Sequence, residues 1–338
     1  MTIRILSVLL LAFAAAVSSA SAQSAFEPGK RRVFQALSTT TIDVLGSDGK
    51  LWRERAGANG KFGTVPPPRD SLFKADLLGR VGNFVDGAGG PWLMSERGFL
   101  WNGSQGVGFT GFVYDAQPLP NSNDVALLRS NGQLLVIRGW PHGNTIGLSS
   151  DVGAFQVLSA NAIVGLQRDG RLWLTQGPIA TGGSLVQDTI DNNVQSFWAL
   201  STTTVAVLGR DRKLWLELAT AGRFTHVPPA RYLIDENVNT FQPLDTQTVA
   251  VLGTDGKLWL EHFPFGHVPP ARELVDASVL AFQAISKTEF AVLGTDRKLW
   301  LEHAGDNGRF GQVPPKREQI DGALAAPSDD PWTTPCCQ

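Results

Sequence analysis

Three observations predict an all-β chain folded as a β-propeller of seven blades of about 42 residues each, or of six if two worn copies build one blade. One phrase recurs along the sequence at close to that period. Its turns carry hairpin chemistry. No segment sustains the 3.6-residue apolar period of a long helix.

The phrase is clearest as "VLGTDGKLWLEH" from Val251 to His262, and it returns at Val44–Glu54, Val207–Glu217 and Val292–Glu302. The full unit is V-x-x-F-Q-A-L-S-x-x-T-V-A-V-L-G-x-D-G-K-L-W-L-E, a Gly-rich stretch, and then F-x-x-V-P-P-x-R-x-x-I-D. Good copies start at Phe34, Phe197, Phe241 and Phe282, with a fifth at Phe155 that is weaker in its second half. Two worn copies fill the gap, "PWLMSERGFLWN" from Pro91 and "DVALLRSNGQLLVI" from Asp124. The Leu-Trp step falls at Leu51, Leu100, Leu134, Leu172, Leu214, Leu258 and Leu299, with 34 to 49 residues between successive copies.

Within a unit, "FQPLD" (Phe241–Asp245) reads as a short apolar strand. "TVAVLG" (Thr248–Gly253) is apolar on both faces, as befits a strand packed between two neighbouring blades, and "KLWLEH" follows a tight turn. Asp255-Gly256, Asn131-Gly132 and Asp169-Gly170 predict type I′ turns, which need positive φ at both central residues. Arg212 and Arg297 stand in the Gly place in two units and predict a different turn there. The Pro-Pro pairs at 66–67, 228–229, 269–270 and 314–315 cannot donate to a ladder and belong at an edge or in a loop.

The ends differ from the repeats. Residues 1–22 have the order of a secretory signal peptide: Arg4, an apolar run from Ile5 to Val17, and Ala20-Ser21-Ala22. A leader over 23–33 and the propeller over 34–325 follow. The Pro-rich tail, 326–338, carries the only cysteines, Cys336 and Cys337. A chain working outside the cytoplasm, extracellular or periplasmic, is expected, with no membrane span. The formal charge of −2 speaks against a nucleic-acid partner. No H-E-x-x-H, Cys/His cluster, G-x-S-x-G or phosphate loop is present, so no metal, cofactor or catalytic residue is assigned.

Three repeated residue types stand out. Trp52, Trp215, Trp259 and Trp300 offer an indole face to a sugar, or pack blade on blade. Glu54, Glu217, Glu261 and Glu302 lie two residues on, and strand alternation puts them on the same face. Arg69, Arg231, Arg272 and Arg317 follow the Pro-Pro pairs and present a fork of donors, to a ligand or to the repeated Glu. These twelve residues are the candidate ligand-binding set.

The letters "AVLGTDGKLWLEH…FGHVPPAR…FQAI" resemble the repeat of secreted propeller lectins of the tachylectin and tectonin kind, and of the fucose-binding propellers, over about Phe34 to Asp321. The resemblance implies several glycan sites between adjacent blades. The fucose-binding "D-G-x-I-R-E" is similar to "DGKLWRE" here, one residue longer. It carries over to the four Glu positions, whereas its Arg is present only at Arg53 and is replaced by Leu216, Leu260 and Leu301 elsewhere.

Repetition favours a multivalent binder over an enzyme, since avidity multiplies weak sites by about 10²–10⁴. The expectation is a non-enzymatic, carbohydrate-binding propeller with glycans or glycoconjugates as partners. The alternative is a protein–protein scaffold using unrepeated residues such as Phe112 and Trp140. A propeller glycoside hydrolase or lyase, with two carboxylates across the ring, is the third reading.

Overall fold

The structure is a computed structural model. It describes residues 33–322 and 324, apart from 47–48, 73–80, 88–89, 96–98, 103–104, 109–112, 142, 180–182 and 266–267. The expected signal peptide, nearly all of the leader, the tail with Cys336 and Cys337, and Phe112 lie outside the described residues.

Seven four-stranded sheets follow one another along the chain, each an antiparallel meander of consecutive strands. They span residues 34–71, 81–108, 113–149, 152–191, 194–235, 238–276 and 279–321, numbered here as blades one to seven. Both worn copies build sheets of their own, blades two and three. Each blade is one contiguous repeat. Among the described residues there is no α-helix.

Blade five shows why the unit folds this way. Its strands are Val194–Ala199, Thr204–Gly209, Leu214–Leu218 and Ala230–Asp235. The second strand is β-branched and buried on both faces, because a blade has a neighbour on each side. The core is accordingly divided into clusters that lie between blades: one joins blades four and five, another five and six, another six and seven. The cluster around Phe34, Ile42, Leu299 and Leu301 joins blade seven to blade one and closes the ring.

The hairpin between second and third strands departs from the type I′ expectation. Only its last residue is left-handed: Gly256 at φ 77°, Gly132 at 82° and Gly170 at 97°. Gly256 N–H donates to the Gly253 carbonyl, and Gly253 N–H to that of Lys257. That is a type I turn closed by a left-handed residue. Its Asp faces inward, with Asp255 Oδ1 accepting from Lys257 N–H. Arg212 and Arg297 take the same left-handed place, at φ 65° and 61°, so these two turns are of the same type as the Gly-bearing ones. The left-handed residue also joins blades: its carbonyl accepts the first N–H of the next blade, Val279 to Gly256 and Val238 to Arg212.

The first strands of neighbouring blades lie side by side around the ring axis. There the repeated Gln of "FQ" acts as a two-pronged clasp. Gln156 accepts from Ala199 N–H and donates to the Ala199 carbonyl, both at 2.9 Å. Gln242 does the same to Ala284, and Gln283 to Ala36, the last across the joint where blade seven meets blade one. Between blades five and six the clasp is missing on both sides: Trp198 stands for Gln, and Pro243 has no N–H to offer.

Candidate functional site at the blade junctions

All twelve candidate residues come together, in four clusters of three. Strand alternation puts Trp215 and Glu217 on one face of the third strand. Register sets Arg231 of the fourth strand directly opposite Glu217. The same pairing holds for Glu54 with Arg69, Glu261 with Arg272 and Glu302 with Arg317. Each guanidinium then lies over its own Trp ring, 4.4 Å from the centroid for Arg69 on Trp52 and 4.1–4.2 Å in the other three. Arg-on-indole stacking of this kind is worth roughly 0.5–2 kcal/mol, depending on desolvation.

A fourth member arrives from the preceding blade. Asp191, the last strand residue of blade four, sets Oδ2 3.6 Å from Arg231 Nη1 of blade five. Asp235 meets Arg272 at 3.6 Å and Asp276 meets Arg317 at 3.7 Å. Asp321 of blade seven acts on Glu54 of blade one. Each of these aspartates takes the N–H of the following residue on Oδ1, at 2.6–2.8 Å, which leaves Oδ2 for the junction. Sequence reasoning had this Asp in the repeat but gave it no role. Its signal was the Asp that closes the unit at 191, 235, 276 and 321, each time in the copy that precedes, around the ring, one carrying the Arg.

The four Glu side chains are 0% exposed, so they do not reach solvent. The nearest guanidinium nitrogen is 3.8–3.9 Å away, beyond a hydrogen bond. No protein N–H or O–H reaches their oxygens. Burial pushes Glu217, Glu261 and Glu302 up to about 9 and Glu54 to about 8, and the facing Asp pushes in the same direction. Burial and the facing Asp thus both favour the protonated form of each Glu. What remains open to solvent is the outer part of the stack, the half-buried Trp rings and the Arg side chains, which are 29–34% exposed.

Arg53, the residue matching the fucose-binding pattern, is committed elsewhere. It forms a two-pronged ion pair with Asp43 of the adjacent strand, both bonds at 2.8 Å. The Pro-Pro loops lie between third and fourth strands. Each begins with a cis Val-Pro bond, at 65–66, 227–228, 268–269 and 313–314. The four valines are 41–50% exposed. Because the loop joins the third and fourth strands in each of the four blades that carry it, the four valines sit on one face of the ring.

No protein-family model and no curated protein matches the chain. Its fold is similar to solved propellers. The C-terminal WD40 domain of Sif2 aligns with a TM-score of 0.56 at 10% identity, over 88% of this chain and 87% of that one. The WD40 β-propeller domain of Doa1 aligns at 0.54 and 10% identity, over 86% and 98%. The computationally designed Ika8 protein aligns at 0.53 and 14% identity, over 91% of each. At such identities the likeness speaks for the fold, and the chain is a β-propeller.

Proposed function

We propose that this protein is a non-enzymatic interaction ring, working outside the cytoplasm, that docks a protein partner on the face carrying the Val-Pro-Pro loops. The observation that carries this reading is the fourfold exposure of Val65, Val227, Val268 and Val313 on rigid proline mounts. Exposed apolar side chains on a fixed backbone suit contact with another protein, and they lose little entropy on binding. A sugar needs open polar forks, and the junction carboxyls are sealed.

A second reading is supported by the Arg–Trp stacks, whose half-exposed edges offer an aromatic face and guanidinium N–H groups to a glycan. One experiment separates the two. The parent chain and a V227D/V268D/V313D variant are compared for capture of secreted proteins and, in parallel, on a glycan array. The protein reading expects a defined partner bound by the parent and lost by the variant, with both melting alike. Glycan binding that survives the Val changes, together with no protein capture, overturns it in favour of the second reading.

A further inference from the structure

Two carboxyls and one guanidinium meet at each of four junctions: blade seven to one, four to five, five to six, and six to seven. Fully ionised, each would hold one net negative charge beside a Glu from which solvent is excluded. The arginine cannot neutralise both acids. At Arg231, Arg272 and Arg317 it reaches the Asp and the Glu through the same Nη1, at 3.6–3.7 Å and 3.8–3.9 Å, and Arg69 Nη1 lies 3.8 Å from Glu54. The aspartate is already an acceptor on Oδ1, while the glutamate has no donor at all. The charge balances with one proton on the Glu, donated across the junction to the Asp.

We propose that these four junctions are proton-binding sites, and that the ring is held more tightly in acid than in alkali because each proton bridges two blades. The bridge joins a third strand to the fourth strand of the preceding blade, so its loss weakens the contact between blades and not the blade itself. The groups facing each Glu are the Asp of the preceding blade and the Arg of its own. Flanking charges on the same strands are otherwise engaged. Asp188 pairs with Arg223, Glu236 with Lys213, and Asp70 with Arg55. Glu273 lies near His262 and Arg309, and Glu318 accepts Phe62 N–H.

The direction follows from linkage. A carboxyl raised from 4.5 to about 8 or 9 on folding favours the folded state most below pH 4.5. That advantage is lost progressively as pH climbs through the folded value, up to about tenfold in the folding equilibrium per site per pH unit. The test is the melting temperature of the parent and of E217Q/E261Q/E302Q between pH 5 and 9.5. Gln keeps the shape and the donor of the protonated acid but cannot ionise. The parent is expected to melt progressively lower as pH rises, and the variant to lose most of that slope. Histidine contacts are common to both chains and cancel in the comparison. An equal slope in both chains overturns the proposal. If the variant does not fold, the infrared carbonyl band of protonated carboxyls in the parent at pH 7 decides. Its presence, and its disappearance by pH 10 as the melting temperature falls, supports the sites; its absence at pH 7 overturns them.

Discussion

Blades four and five share the third-strand Trp and little of its surroundings. In blade five Trp215 is half-buried under Arg231, opposite Val207. In blade four Trp173 is 1% exposed and lies against Gly165, where a Cβ would come within 2.1 Å of the indole. The charged partners change as a set. Glu217 is answered by Thr175, Arg231 by Gln187 and the preceding blade's Asp191 by Ser149, read from strand register. The junction between blades three and four thus lacks both acids and the base together. A partial set would bury an unpaired charge, which costs more than having none. The same Trp serves two kinds of joint, an apolar one and an ionic one, and the residue across the hairpin, Gly or Val, decides how the indole lies.

The sharpest way to break this comparison is Gly165→Val, which gives blade four the side chain its neighbours have. Trp173 is expelled from its seat, and a loss of about 3 kcal/mol in urea-monitored stability is expected. Next, Thr175→Glu alone places a buried carboxyl without partners at that joint and costs about 2 kcal/mol. Adding Gln187→Arg and Ser149→Asp restores at least about 1 kcal/mol of it, measured as a coupling between the changes. Simple additivity would show that the charges do not act as a unit. The smallest effect sharpens a difference among the turns: Arg297→Gly relieves a left-handed Arg, as Gly256 already does in blade six, and is expected to raise stability by about 0.5 kcal/mol in the same unfolding assay.

The repeat was legible because local chemistry wrote it. Trp259 and Glu261 share a face by alternation, and the Pro-Pro pair marks the start of the outer strand that brings in Arg272. The parts that were not legible are those that belong to two repeats at once. Asp235 serves Arg272, 37 residues along the chain, and no spacing within a unit announces that. Gln242 looked like strand filler until Ala284 of the next blade stood opposite it. The turn type was misjudged because Asp-Gly fits both a two-residue and a three-residue hairpin. Only the backbone of Asp255, which is not left-handed, tells them apart.

Among the described residues, blades one and seven share no whole strand, but Leu324, just past blade seven, bridges to Gly46 of blade one. The meeting of the chain's ends uses the Gln283 clasp on Ala36 and the acid–base set of Glu54, Arg69 and Asp321, the same parts that join blades six and seven. The closing joint thus repeats the joints inside the chain with one difference: Leu324 takes in blade one the place that Val238 and Val279 hold in blades six and seven, opposite the Gly at the end of the second strand. A gene rearranged to start at blade five would encode every junction unbroken, and whole blades are the natural unit in which such a molecule lengthens, shortens or exchanges its parts.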